Sequence, residues 1–460
     1  MSERHAVVVG ASLSGLLAAR VLSEHVDRVT IVDRDQLPTH TSGRRGVPQG
    51  RHGHGLLASG FQSLQQLFPG LSNELIAAGA VPGDIVGDVR WHQHGYYKAK
   101  FASGLDGVLL SRPLLEETIR RRVRNIGNVR MVDQTHAVSL GVTDGRVTGI
   151  DLQTSGHGRE TQHAALVVDA SGRSSRSPEW LAALGYEAPV TDAVHVGLGY
   201  TTRTFVRRPH DLDGDRGAVI GPRPPALRRV GFALAMEGNR WMVTLAGWLG
   251  DHAPAAPAGF LEFARTLARP DIYDLIREAT PLTVATTYAF PSNQRLRYER
   301  LTRFPGGYLV IGDAVCSFNP FYGQGMSVAA LEALALDRCL REDSSLHTLW
   351  RRFFRAVESI VEAPWTIAAG SDFAFPGITG TKPAGTDLVN WYLDRVHKAA
   401  STDRHVCRAF FDVANLMAPA TTLFRPGVVA RVVRECWRTE STPAPVTRDA
   451  GGDHRVVRSA

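Results

Sequence analysis

The sequence predicts an α/β protein: a Rossmann-type nucleotide-binding domain, an antiparallel β-sheet domain inserted into it, and a helical C-terminal region. Three observations carry this reading. The chain opens strand, turn, helix, strand up to Asp33. From about Asp192 to Tyr288 the apolar period changes from helical to alternating. A second strand, glycine-rich turn and helix follows much later, from Tyr308 to Leu340.

Each element follows from its residues. His5 to Val9 is a short apolar run, Leu13 to Leu22 has helical periodicity, and Val29 to Val32 is a second buried strand ending at Asp33. Residues 38 to 55, rich in Gly, Arg, His and Pro, are expected to be loop. Ser111 to Val123 reads as a helix with Pro113 at its tolerant start. Val138 to Leu152 is a hairpin turning at Asp144-Gly145, and Ala165 to Asp169 another buried strand. Val230 to Trp248 forms two strands around Glu237-Gly238-Asn239, preceded by a Pro/Gly-rich loop from Gly217 to Arg229. Residues 86 to 104 are assigned to the same sheet. Met326 to Leu340, Leu346 to Val361 and the segment Ala400 to Trp437 read as helical. The expected domains are 1–85, 105–190 and 300–345 for nucleotide binding, 86–104 and 191–299 for the inserted sheet, and 346–440 for the helical region. A Pro/Gly/charged tail, 441–460, is expected to be disordered.

Length and composition bound the function. The 460 residues, 43% hydrophobic and 21% charged, suit a globular enzyme of two or three packed units. No uninterrupted apolar stretch is long enough to predict a membrane span. The four cysteines are scattered without CxxC spacing, which fits a reducing cytoplasm and predicts neither disulfides nor a zinc site. The net charge of +7 comes from arginine. Its one dense run, Arg120-Arg121-Arg122-Val123-Arg124, reads as a solvated helix face, and no nucleic-acid module surrounds it.

Two motifs carry chemistry. In Val7-Val8-Val9-Gly10-Ala11-Ser12-Leu13-Ser14-Gly15, Gly10 allows the tight turn out of the strand and Gly15 lets helix and sheet pack closely. The helix start aims free amides at a diphosphate, Ser12 replaces the usual middle glycine, and Asp33 is placed to accept ribose hydroxyls. This pattern serves NAD or FAD alike. The later one points to FAD: Tyr308 to Ile311 ends in Gly312-Asp313-Ala314, and Asn319-Pro320-Phe321-Tyr322-Gly323-Gln324-Gly325-Met326 opens a helix. Asp313 suits ribityl hydroxyls, and the helix start suits negative charge on a reduced flavin ring.

At these motifs the chain resembles the flavoprotein monooxygenases of the para-hydroxybenzoate hydroxylase fold. It is most similar there to the polyether epoxidase branch, such as the enzymes of monensin and lasalocid biosynthesis. The likeness extends through Gly46-Val47-Pro48-Gln49-Gly50-Arg51-His52-Gly53-His54, Ser111-Arg112-Pro113-Leu114-Leu115, Val168-Asp169-Ala170-Ser171-Gly172-Arg173, Asn293 with Tyr298-Glu299-Arg300-Leu301, and Phe411 to Pro426. It implies that Arg112 and Arg44 contact the FAD phosphates or adenosine and that Asp313 takes the ribityl chain. It also implies that Gly323, Gln324, Gly325 and Met326 line the N1–O2 edge of the flavin, with Pro320 near the ring. Gly10, Ser12, Leu13, Ser14, Gly15, Asp33, Arg34 and Gln49 complete the expected cofactor set. The Ala-Asp-Gly stretch of many single-component hydroxylases is here Asp169-Ala170-Ser171-Gly172, with the aspartate displaced. NAD(P)H is therefore expected as electron donor either directly or through a flavin reductase.

The implied reaction inserts one atom of O2, through a flavin C4a-hydroperoxide, into an apolar small molecule. An alkene of a terpenoid or polyketide is the favoured acceptor, and aromatic hydroxylation is the alternative. A flavin-dependent halogenase, a prenyl-chain reductase, or a flavin-holding protein without turnover are the rivals. No side chain is assigned a catalytic role. Trp91, Tyr97, Phe101 and Trp241 are expected to wall the substrate pocket. His52, His54, His92 and His94 have spacing that could ligate a metal, but nothing completes a set, so loop packing is preferred and no metal is predicted.

Overall fold

The computed structural model describes residues 4–38, 40, 41, 44, 46, 48–156 and 158–440. Val47 of the loop motif and the tail 441–460 lie outside the described residues.

A five-stranded parallel sheet runs in the order Tyr308–Val310, Leu166–Asp169, His5–Val9, Arg28–Val32, Val129–Val132. Three of its strands, His5–Val9, Leu166–Asp169 and Tyr308–Val310, drawn from distant parts of the chain, are short and buried along their whole length, as strands of a parallel sheet covered on both faces must be. The helices Leu13–Leu22 and Gly325–Glu342 bury their apolar sides in the core that contains this sheet. The hairpin at Asp144-Gly145 joins Thr135–Thr143 to Arg146–Thr154, and both turn residues have positive φ, 50° and 72°.

The inserted sheet is larger than the alternation implied. Nine strands contribute, with Thr191–Val206 at its centre between Thr286–Leu296 and Arg240–Gly247. The expected hairpin around Glu237-Gly238-Asn239 is present as Arg229–Met236 and Arg240–Gly247. Two expectations are corrected. Gly217–Ile220, read as loop, is a buried strand pairing with Arg229–Met236 on one side and, in parallel, with Val89–Gln93 on the other. The block also contains two helices, Pro257–Arg265 and Asp271–Ile276, which cover one face of the sheet through Phe260, Phe263 and Ile272. Proline and glycine nearby obscured both.

The helix expected from Leu346 to Val361 spans Leu349–Asp372 and continues through Pro364. A proline inside a helix costs one backbone hydrogen bond. Here Val361, Pro364, Trp365 and Ala368 are all buried, and that packing sustains the extension. The C-terminal region adds Thr386–Ala399, Arg404–Ala414 and Pro426–Glu440, which pack with Val86, Leu105 and Trp91.

Candidate active site

Parallel pairing decides where the motifs meet. Val9 lies opposite Asp169, and Asp169 opposite Val310, so the three strands end level with one another. The turns that follow them therefore emerge side by side, at the edge where α/β folds bind ligands. Gly10 has φ +104°, and a Cβ there would lie 2.6 Å from the Ala170 carbonyl oxygen. A Cβ on Gly312 would lie 2.3 Å from Ser14 Oγ. Only glycine permits these approaches, and they join the N-terminal turn to Gly312-Asp313 across one crevice.

Both helices that start at this crevice lack a side-chain cap: Leu13–Leu22 after Ser12, and Gly325–Glu342 after Gln324. Their first amides are oriented for an anion and for an electron-rich ring edge. Asp33 lies at the adjoining recess with Gly10, Arg34 and Arg44. Its carboxylate accepts from Ala11 N at 2.6 Å and Arg44 Nη1 at 3.0 Å through one oxygen, and from Asp35 N through the other.

Arg112, at the start of the helix Arg112–Arg124, links the parts. It donates through Nε to Glu116 at 2.9 Å and through Nη2 to Ser12 Oγ at 3.1 Å, and its Nη1 lies 3.1 Å from His54 Nε2. His54 Nδ1 faces the His52 carbonyl at 2.8 Å, so that nitrogen carries the ring proton and Nε2 accepts from Arg112. Burial, reinforced by Arg112, lowers the His54 pKa to about 3, so the imidazole is neutral. Burial alone would raise the Glu116 pKa, but Arg112 and Arg44 outweigh it and hold the carboxyl below its usual value. Arg120 is also buried here, with Nη2 3.5 Å from Glu116 Oε2. This corrects the solvated reading of the arginine run. Helical spacing puts Arg112, Glu116 and Arg120 on one face, while Arg121 and Arg122 turn outward to Glu74.

Arg44, Arg112 and Arg120 thus face two carboxylates, Asp33 and Glu116, and Arg44 Nε, Arg44 Nη2 and Arg120 Nε are buried without hydrogen-bond partners, Arg44 Nη2 lying 3.6 Å from Glu116 Oε2. An excess of buried positive charge with unused N–H groups fits a diphosphate. Asp313 opens into the crevice, yet the protein around it desolvates the carboxyl and raises its pKa, against the pull of Arg112 and Arg173. Gln324 is buried with neither its amide oxygen nor its nitrogen partnered. An amide idle at both ends fits the alternating donors and acceptors of a flavin pyrimidine ring. The residues present therefore suit FAD.

The turn Asn319 to Gly323 is anchored by a residue the sequence did not single out. Asp372, fully buried at the end of the long helix, accepts from Trp248 Nε1 (2.9 Å), Asn293 Nδ2 (2.9 Å), Asn319 Nδ2 (3.0 Å) and the Tyr322 hydroxyl (3.2 Å). Burial raises its pKa to about 6, and these bonds oppose the rise. Glu332 is similar: it accepts from Gly312 N at 2.6 Å, and burial pushes its pKa to about 8. No motif signals Asp372; Glu116 was likewise not singled out, and its i, i+4 spacing to Arg112 is the one signal that could have found it.

A mainly apolar cavity of about 290 Å³ adjoins the Pro320, Gly323, Gln324 and Met326 turn. Trp91 lines it; the other three expected pocket residues do not. Trp241 faces the opposite side of the sheet, packed under the covering helices, and its indole N–H bonds Asp211 at 2.8 Å. Tyr97 donates to Asp271 at 2.6 Å in a separate polar recess. Phe101 packs among the C-terminal helices. Leu13 is core, Ser14 touches the Gly312 turn, and Gln49 sits on the short helical turn Pro48–Arg51 without lining the crevice or cavity. The histidines do not converge: His52 bonds Thr202, and His94 stacks on His397. Among the described residues no group of three metal-ligating side chains forms. Asp169 is buried, accepting from Ser171 N, Ser175 Oγ and Ser177 Oγ, and so is turned away from the crevice.

Comparison with known proteins agrees with this geometry. A family model described as FAD binding domain matches residues 3–343. Protein Rv3254 of Mycobacterium tuberculosis (strain ATCC 25618 / H37Rv) is 34% identical over 418 residues, covering 87% of this chain and 86% of that one. A kynurenine 3-monooxygenase of Salinispora tropica is 25% identical over 351 residues, covering 73% and 72%. A triple mutant of the flavin-dependent brominase Bmp2 shares the fold at a TM-score of 0.64 and 13% identity, over 93% of this chain and 99% of that one.

Proposed function

Because the chain belongs to the FAD binding domain family, we propose that it is an FAD-dependent monooxygenase placing one oxygen atom from O2 on an apolar organic molecule. The observation that carries the reading is the mainly apolar cavity opening directly onto the turn with the idle Gln324 amide. Bound and reduced, FAD supplies the activation of O2, the chemistry for which no side chain serves.

The protein's own residues bind, orient and exclude. Ser12, Arg44, Arg112 and Arg120 hold the diphosphate, and Asp313 takes the ribityl hydroxyls. Gln324 and the amides at Gly325-Met326 meet the ring's polar edge and favour negative charge there. Asp372 fixes the Asn319–Tyr322 turn from behind. Neutral His54 keeps its proton on Nδ1 and leaves Arg112 free of charge competition. The apolar wall formed by Trp91, Phe232, Phe321 and Phe411 keeps water from the reacting centre and orients the acceptor.

The acceptor is an electron-rich alkene of a terpenoid or polyketide, supported by the likeness of the sequence motifs to polyether epoxidases and by the cavity's apolarity. Electrons come from NAD(P)H, and the burial of Asp169 favours delivery by a separate flavin reductase. Oxygen transfer is preferred to halogenation because flavin-dependent halogenases of this fold need a lysine near a Trp-rich motif, which none of the four lysines here has, and the buried Lys98 donates to the Gln93 and His397 carbonyls. Purified protein that stays colourless after addition of FAD would exclude the reading. With flavin bound, ¹⁸O from ¹⁸O2 is expected in the product, with no dependence on chloride or bromide. Turnover that begins only after a reductase is added fixes the electron route.

A further inference from the structure

The cavity wall is not apolar throughout. From Trp91 a run of rings leads along it: Trp91 to Phe411 at 5.4 Å, Phe411 to Phe410 at 5.2 Å, Phe410 to His397 at 4.8 Å, and His397 stacked on His94 at 4.0 Å. Trp91 and Phe321 of the cofactor turn both pack against the small cluster of Val89, Val219 and Phe232, so this aromatic path runs from the reacting end of the cavity to a polar recess.

The recess gathers basic groups. His94 and His397 line the cavity, and Lys98 lies behind them, its Nζ 3.0 Å from the His397 carbonyl. His397 is 7% exposed and its Nδ1 has no partner. Gln93 lines the same wall, and its side-chain oxygen is also unpartnered. Burial, with His94 and Lys98 adding repulsion, holds His397 well below the usual imidazole pKa, and burial lowers Lys98 to about 7. No carboxylate bonds His397. Asp394 bonds His94 from the outer side, with 57% of its side chain exposed. The other carboxylate on the cavity wall, Asp84, is enclosed by the amides of Val86, Gly87, Ser103 and Gly104.

We propose that the substrate is an amphiphilic acid, whose apolar chain lies along the Trp91–Phe411–Phe410 wall and whose carboxylate docks at His397 and His94, away from the carbon that is oxidised. The proposal rests on the cavity being the substrate site. A carboxylate there accepts from His397 and satisfies its idle nitrogen, beside the basic side chains of His94 and Lys98.

The test is calorimetric titration of the FAD-loaded protein with farnesoic acid and decanoic acid, each against its methyl ester. Acid and ester differ in charge but scarcely in shape. The acids are expected to bind at least tenfold more tightly than the esters. His397→Phe, which keeps the ring contact, should bring the ratio to about one while ester affinity holds. His94→Phe, at a more exposed position, should lower it severalfold and provides the check where His397→Phe loses flavin. Equal binding of acid and ester to the parent protein, or a ratio that survives both substitutions, overturns the anionic recess and leaves the cavity's role intact. Failure of all four probes to bind overturns both.

Discussion

The Asp372 carboxylate accepts a hydrogen bond from the Asn319 side-chain amide at 3.0 Å, tying the far end of a C-terminal helix to the turn at the proposed flavin edge. Donors converge on both carboxylate oxygens, so an amide at position 372 must set an N–H against another donor. Asp372→Asn is expected to cost about 2–4 kcal/mol of stability and to raise the Kd for FAD at least tenfold. Denaturant titration and flavin release measure the two effects.

The same residue sets a pH dependence. Its folded-state pKa is about 6 against an ordinary 3.8. Its contribution to stability is therefore complete below about pH 4 and declines as pH rises through about 6, by roughly 3 kcal/mol in total. Asp372→Asn lacks this slope. The stability gap between parent and variant should be larger at pH 4 than at pH 7.5, and an equal gap would refute the assignment.

Arg112 bridges Ser12, Glu116 and His54. Arg112→Ala should weaken FAD binding by roughly 30- to 100-fold, as expected for loss of a charge-assisted contact worth about 2–3 kcal/mol. Unchanged flavin content in the purified variant would remove Arg112 from the cofactor site.

Glu116→Gln leaves Arg44, Arg112 and Arg120 facing Asp33 alone. The flavin-free variant is expected to lose about 3–5 kcal/mol, the usual cost of breaking a buried ion pair. A diphosphate restores the missing negative charge. FAD should consequently raise the Tm of the variant by more than it raises that of the parent, and an equal shift would place the diphosphate elsewhere.

Trp91 and Trp241 separate pocket from core. Trp91→Ala should change KM and substrate preference, because the ring lines the cavity. Trp241→Phe should lower Tm through the lost bond to Asp211 and leave KM unchanged. Steady-state kinetics beside thermal melts distinguishes the two.

Much of the fold was legible in the chain because local patterns specify local structure. The apolar run His5–Val9, the positive-φ turn at Gly10 and the helix from Leu13 are set by near neighbours, as are the hairpins at Asp144-Gly145 and Glu237-Gly238-Asn239. Local pattern specified the pair of nucleotide turns and the residue types they carry. Tertiary structure alone decided the rest. Parallel register brought Val9, Asp169 and Val310 level. Packing around Pro364 carried a helix on to Asp372. Strand pairing sent Trp91 to the cavity and Trp241 to the other face. Such outcomes depend on which distant surfaces meet, and burial of those surfaces outweighs the local preferences that a single sequence displays.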